Sequence, residues 1–421
     1  MDMPNPSQKN KSGATAMSLL ISSVSIIILA EVWMLLGFKI PIPFFDTATL
    51  YASEIKYLED NNLSFYELAK YFTKISNEEG AEYAYNLLKI APIPPNTDMH
   101  LLGHVVSDEL YKQKGSEGIK ICTPDFRNAC SHSIVVGLLL EKGDSAMDEI
   151  SEACRLAPGG RGAYTMCFHG LGHGVLAYSD YDMQDAVELC ATTGTKEYLQ
   201  REYIECVGGT VMEIVGGGFH NQELWQKKSD EYLSVSDPLY LCSKEIMPEI
   251  AQAQCYTYLT PHLFKRAGGS LSNLTPDVYE RAFVYCEGIP KSEASLRASC
   301  YGGFGKEFVV LAKARDVRQI GNMTDEELAK VYEWCSLAPH SEGINACINT
   351  SAASIFWGGE NEPVAVIKFC SIVEDTSIQQ ECFANLFNSV KYYINDLAYL
   401  ENFCAKVPNN YKGTCEEKLV N

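Results

Sequence analysis

The sequence has no cysteine before Cys122, no cluster of basic residues, and no H-E-x-x-H, G-x-S-x-G or P-loop pattern. It also has no stretch in which apolar and polar residues alternate over the length of a strand. Each absence removes a class. Without period-two alternation a half-buried sheet is not expected. The 34 Lys and Arg stand against 54 Asp and Glu, for a net charge of −20. Such a surface repels phosphate backbones and argues against a nucleic-acid partner, while it attracts dications. Zincin, serine-hydrolase and P-loop mechanisms lack their residues.

What is present describes a folded, exported chain. Of 421 residues, 46% are hydrophobic and 21% charged, which excludes a disordered or collagen-like protein and leaves material for a substantial core. The 16 cysteines are even in number and confined to the chain beyond residue 121, a pattern that suits an oxidising compartment.

The first forty residues agree with export. Residues 16–38 (AMSLLISSVSIIILAEVWMLLGF) are apolar apart from Ser, one Glu and one Gly, and as a helix they span roughly 34 Å, enough to cross a bilayer. Lys9 and Lys11 precede the run, so the positive-inside rule orients it. The expected layout is a cytoplasmic tail over 1–15, a retained signal anchor over 16–38, a Pro-bearing tether over 39–65 and an extracytoplasmic domain over 66–421. The localisation expected is thus the cell membrane, single-pass, with the bulk of the chain outside. Glu31 is the exception inside the span, at a cost on the order of 3 kcal/mol unless it is protonated or paired with another helix.

Beyond the tether the cysteines are rhythmic. Taken consecutively they form the pairs Cys122–Cys130, Cys154–Cys167, Cys190–Cys206, Cys242–Cys255, Cys286–Cys300, Cys335–Cys347, Cys370–Cys382 and Cys404–Cys415. The second members recur every 33–49 residues, the period of helical-hairpin solenoids. A unit reads as a helical run, a first Cys, a short loop, a second Cys and an apolar helix rich in small residues. One disulfide per hairpin, worth about 2–4 kcal/mol each, is the expected staple. In DAVELC, SKEIMPEIAQAQC, DVYERAFVYC and DEELAKVYEWC apolar residues recur every three or four positions, which predicts helices with one buried stripe. Thr275-Pro276-Asp277 and Thr324 with Glu327 read as helix starts, the latter as a capping box. The expected fold is all-α: an N-terminal transmembrane helix, then an α-hairpin solenoid over 66–421, with Cys-stapled repeats over 122–415. Gly208-Gly209 and similar small residues mark either close approach of neighbouring hairpins or a loop ahead of a later helix start.

Six of the 8 histidines fall between residues 100 and 220. Aligned on each second Cys, His132 and His169 share one position and His173 lies one turn beyond, while His100 and His104 repeat the i, i+4 spacing in the unit before. Stacked hairpins would place His100, His132 and His169 on one ridge and His104 and His173 one turn along it. An i, i+4 pair lies on one helix face, from which two imidazoles can share a metal. The candidate ligands are His100, His104, His132, His169, His173 and Glu213, more than one tetrahedral zinc needs. Glu213 and His132 are the candidate acid/base groups, and Asp108 and His220 are candidates to support the ligands from behind. Thiolate ligation is the weaker alternative, because C-x-x-C spacing is absent. His262 and His340 lie outside the group. The alternative for all of these is ordinary buried imidazoles satisfied by hydrogen bonds.

The pieces DMHLLGHVVSDELY, CSHSIVVGLLLE, CFHGLGHGVLAY with DAVELC, and CVGGTVMEIV, within residues 98–220, resemble a group of exported or membrane-anchored bacterial proteins built of cysteine- and histidine-rich helical repeats. That group usually has Cys where this chain has Met99. Later repeats share only the cysteine rhythm and Gly-rich helix starts. A more distant similarity, to Sel1-like and other tetratricopeptide-type repeats with a disulfide in each hairpin, implies a concave superhelix and says nothing specific of chemistry.

Two functions follow as expectations. One is a membrane-anchored protein holding one or two transition metal ions (Zn, Fe, Cu or Ni) near residues 98–220, in the range of a metal-dependent hydrolase or oxidase. The other is a metal-free scaffold that binds a protein partner on its concave face. A sensor, coupled to a partner through the transmembrane helix, is a lesser third.

Overall fold

The computed structural model describes residues 50–217, 221–270, 273–318, 320–358, 362–394 and 396–420. The expected tail, the anchor with Glu31, the first part of the tether and His220 lie outside the described residues. Among the described residues no helix is long and apolar enough to cross a membrane. They are helical throughout, the one extended pairing being an isolated bridge between Ser270 and Asn273.

The chain divides into two compact units, residues 1–56 and 57–421. The described part of the first is residues 50–56. They begin the helix Ala52–Asp60, inside the span expected to be a non-helical tether. Ala52, Ile55 and Leu58 recur every third residue, a helical spacing that the prolines at 41 and 43 do not interrupt.

The second unit begins with helices Phe65–Glu78, capped by a Ser64–Glu67 capping box, and Ala81–Ile90, the expected first pair. Beyond them is a run of helical hairpins whose inner helices pack each on the next. We number these α1 (Met99–Lys114), α2 (Ala129–Lys142), α3 (Gly160–Tyr178), α4 (Arg201–Gly216), α5 (Glu249–Tyr258), α6 (Ala294–Ala312), α7 (Ser341–Gly358) and α8 (Thr376–Tyr393). The cysteines pair consecutively into eight disulfides, with Cα–Cα distances from 5.3 to 5.8 Å and no free thiol among the described residues. In most hairpins the first Cys closes the outer helix, as Cys154 does in Met147–Leu156, and the second lies well inside the inner helix, as Cys167 does in α3. The bond therefore crosslinks two packed helices.

Two details of the helix reading change. The run SKEIMPEIAQAQC is not one helix: Cys242 ends a short 3-10 turn, and α5 starts only at Glu249, after Pro248. Proline lacks the N–H and disfavours helical backbone in the residue before it, so the periodicity ahead of Pro248 was not sufficient. The glycines after the second cysteines lie within continuous helices, not in loops. A Cβ at Gly209 would collide with the His169 carbonyl, and one at Gly172 with the Cys206 carbonyl. The pair Gly172–Gly209 is what lets α3 and α4 touch backbone to backbone. The Thr324–Glu327 capping box is present, with both reciprocal bonds made, and Thr275 stands ahead of Pro276 at the first helical position.

The superhelix returns on itself. The segment after α6 reaches the start of α1: Asn96 N donates to Ala314 O at 2.9 Å, and Arg315 pairs with Asp98 at 3.4 Å. Arg318 donates to the carbonyls of Leu88 and Ala91 at 2.9 and 2.8 Å. At the level of α2, Arg127 donates to Ser354 Oγ of α7 at 2.8 Å, and at the level of α3, Arg161 lies 5.0 Å from the centre of the Tyr392 ring of α8. One turn thus runs from α1 to α6. The concave face becomes a cavity of about 520 Å³, lined by residues of the inner helices from both passes.

Candidate metal centre

The wall of this cavity formed by α1, α2 and α3 carries the five histidines. Asp98 caps α1 by accepting from Leu101 N, which starts the helix so that His100 and His104 share a face, with ring centres 4.7 Å apart. His132 on α2 is the hub. Its ring centre is 5.6 Å from His100, 5.7 Å from His104, 5.6 Å from His169 and 5.8 Å from His173. His169 and His173, one turn apart on α3, are 5.3 Å apart, and His104 and His173 are 6.2 Å apart. The ridge expected from stacked hairpins is thus formed. HGLGHG makes it compact: Gly170 lies directly against His132, where a Cβ would strike the ring and the backbone behind it.

The hydrogen bonds fix several ring nitrogens. His100 Nδ1 donates to the Phe126 carbonyl at 2.7 Å, leaving a lone pair on Nε2. That atom faces His104 Nε2 at 3.3 Å. Ser133 Oγ touches His104 Nδ1 at 3.0 Å and the His104 carbonyl at 3.3 Å. If the hydroxyl proton goes to Nδ1, His104 Nε2–H donates to His100 and the pair is satisfied. If it goes to the carbonyl, two lone pairs face each other at Nε2, the arrangement in which a cation could be held between them. Two nitrogens bound to one tetrahedral zinc stand about 3.3 Å apart, so the observed spacing already equals the edge of such a site.

His132 has no alternative of that kind. It is 1% exposed, and both its ring nitrogens are buried without a hydrogen-bond partner, as are His169 Nδ1 and His173 Nε2. A buried polar atom left unpaired costs about 1–3 kcal/mol. Burial, with the neighbouring imidazoles adding to it, holds His132 and His169 well below the ordinary histidine range, and burial lowers His100 to about 4. These rings are neutral, the form that ligates metals. His100, His104 and His132 each offer a nitrogen within 4.8 Å of the others.

Carboxylates stand behind the α3 pair. Glu213 Oε2 on α4 accepts from His173 Nδ1 at 3.0 Å, so Glu213 sits where an orienting carboxylate sits, beside the imidazole it was expected to join as a ligand or base. Asp108 lines the same cavity. His262 and His340 are not among the lining residues; His262 is buried elsewhere and lowered to about 4 by its burial.

Further residues of the cavity have no counterpart among the candidates read from the sequence. Glu205 lies 3.8 Å from His169 Nδ1 and pairs with Arg201 one turn earlier. Its signal in the sequence is its place in α4 immediately before Cys206. Tyr258 stacks on His169, with centres 4.6 Å apart at 30°. Arg127, Lys306 and Trp357 also line the cavity. The last two reach it only because the superhelix returns, which no local pattern encodes.

The donor set therefore fits one or two borderline transition metals: five imidazoles, partly unpaired, with carboxylate support and, among the described residues, no free thiol. No protein-family model matches the chain, and no curated protein or solved structure matches it either.

Proposed function

We propose that this is a membrane-anchored extracytoplasmic metalloprotein with a dinuclear histidine centre. One ion lies among His100, His104 and His132, and the second among His132, His169 and His173. His132 would be the shared ligand, one nitrogen to each ion, as an imidazolate whose remaining N–H proton is released to solvent when the second ion binds. The observation that carries this reading is that both nitrogens of His132 are buried and unpartnered at the hub of four other imidazoles. The cavity beside the centre gives a small molecule access to it, so hydrolase or oxidase chemistry is the class proposed. Zn, Cu, Ni and Fe all accept imidazole donors. Export and anchoring rest on the apolar run 16–38 and on the eight disulfides.

Elemental analysis of protein purified from an oxidising compartment supplied with metals tests the reading. Two ions per chain are expected, one after replacement of both His100 and His104 by Ala, and weakened binding of both after His132→Leu. Absence of metal, together with no uptake of Zn or Cu in a titration, would overturn the centre. A single ion indifferent to His132 would remove the shared ligand and leave a mononuclear site.

A further inference from the structure

Five carboxylates and four cations face the cavity: Asp98, Asp108, Glu205, Glu213 and Glu307, with Arg127, Arg201, Lys306 and Arg315. Three of the cations have a carboxylate of their own. Arg201 pairs with Glu205, Lys306 with Glu307 at 2.6 Å, and Arg315 with Asp98 at 3.4 Å. Arg127 does not. Among the described residues its guanidinium makes one hydrogen bond, to the Ser354 hydroxyl at 2.8 Å, and its Nε is buried without a partner. Desolvation lowers it from the usual guanidinium range, opposed in part by the more distant charge of Glu307 and by Tyr258. A half-buried guanidinium with no carboxylate in contact leaves part of its desolvation cost uncompensated.

The backbone holds it there at further cost. Phe126, Arg127 and Asn128 have φ of 58°, 52° and 65°, three successive non-glycine residues in the left-handed region, each costing roughly 1–2 kcal/mol. This turn does two things at once. It aims the Phe126 carbonyl at His100 Nδ1, and it sends the next side chain into the cavity beside the histidines. Elsewhere the same cavity carries apolar and aromatic side chains, among them Leu101, Val136, Tyr258, Val310, Trp357 and Tyr393.

We infer that Arg127 is the anion-recognition residue of the cavity, and that the ligand is a small organic acid: a carboxylate held by the guanidinium and an apolar body against Tyr258, Trp357 and the aliphatic residues. A guanidinium offers a fork of donors that matches a carboxylate, and the Ser354 bond leaves most of that fork free. This inference does not depend on the metal reading.

The test uses the full-length protein in detergent, before and after chelator treatment, with benzoate as probe and benzamide as its neutral counterpart. Benzoate is expected to bind saturably, measured by calorimetry and by a rise in melting temperature, and at least tenfold more tightly than benzamide. Arg127→Gln should weaken benzoate at least tenfold, and Arg127→Lys less. Ser354→Ala, which keeps the guanidinium but removes its one partner, should bind benzoate at least as well as the unaltered chain. Equal binding of benzoate and benzamide overturns the inference, as does no binding at all, or benzoate binding that chelation abolishes and Arg127→Gln leaves intact. If Arg127→Gln does not fold, the benzoate–benzamide comparison and Ser354→Ala still decide. Loss of benzoate binding in Ser354→Ala would make Arg127 only a strut between α2 and α7.

Discussion

His173 Nδ1 donates to Glu213 Oε2 at 3.0 Å, across the α3–α4 contact. That bond sets the tautomer: the proton is on Nδ1, and Nε2, which is buried and has no partner, carries the lone pair. Carboxylates placed behind a metal-bound imidazole contribute about 10–100-fold in affinity. Glu213→Ala should therefore weaken binding of the second ion by that range, read by competition with a chelator of known affinity. Glu213→Gln still offers an oxygen to Nδ1 and should lose less. Equal losses in the two variants would mean that Glu213 contributes charge to the centre and not orientation.

His132 gives a test with opposite signs. In the metal-free protein its two unpaired nitrogens are a liability, so His132→Leu, of similar size and apolar, should raise the stability of the chelated protein by about 1–3 kcal/mol. The same variant should lose metal. If His132 were an ordinary core histidine with partners in solution, the substitution would destabilise the chelated protein instead. Urea denaturation with chelator, beside metal analysis of the untreated sample, reads both effects.

The pH dependence of the chelated protein follows from the lowered histidines. Between the folded value near 4 for His100 and the ordinary value near 6.5, the unfolded chain binds the proton and the folded chain does not. Stability therefore rises with pH across that window, is fully present above about 6.5 and falls as pH drops toward 4. At about 1.4 kcal/mol per unit, His100 alone accounts for on the order of 3 kcal/mol, and His132 and His169, also lowered, add to the same slope. Replacing His100 by a neutral side chain should flatten the curve between pH 4 and 6.5. Melting of the chelated protein across that range, with and without the replacement, measures the difference.

The sequence made the repeat legible because each disulfide is local. Pairs 8 to 16 residues apart can be read without knowing any tertiary contact, and they fix the register in which His132 and His169 align, to which the i, i+4 spacing of His100 and His104 adds the unit before. Within that register the i, i+4 pairs place themselves. The other wall of the cavity was not legible. Ser354 meets Arg127 across 227 residues, through the pitch of the superhelix, which is the sum of many small inter-helix rotations and has no motif. Glu205 was nearer to hand, but as the residue before a cysteine it looked like part of the helix surface. The helix at Ala52–Asp60 is illegible for a different reason: it is short, with Leu58 its one buried residue, so its apolar spacing gives little periodicity to read.

The HGLGHG run supplies a last test, of whether the compactness of the site is required. At Gly170 a Cβ meets the ring and Cα of His132, whereas at Gly216, the last residue of α4, nothing lies within 4 Å. Both are helical, so Ala at either gains up to about 1 kcal/mol of helix propensity. At Gly216 that gain should stand, and metal content should not change. At Gly170 it is opposed by overpacking of about 1–3 kcal/mol, and relief comes only by moving His132 away from the α3 pair. Gly170→Ala should therefore lower the melting temperature modestly and reduce the metal bound far more than its stability loss accounts for, because a ligand displaced by even 1 Å no longer meets a bond length of about 2.0–2.1 Å. Full metal retention in Gly170→Ala would show that α2 and α3 can separate without opening the centre, and that His132 is not shared between its two halves.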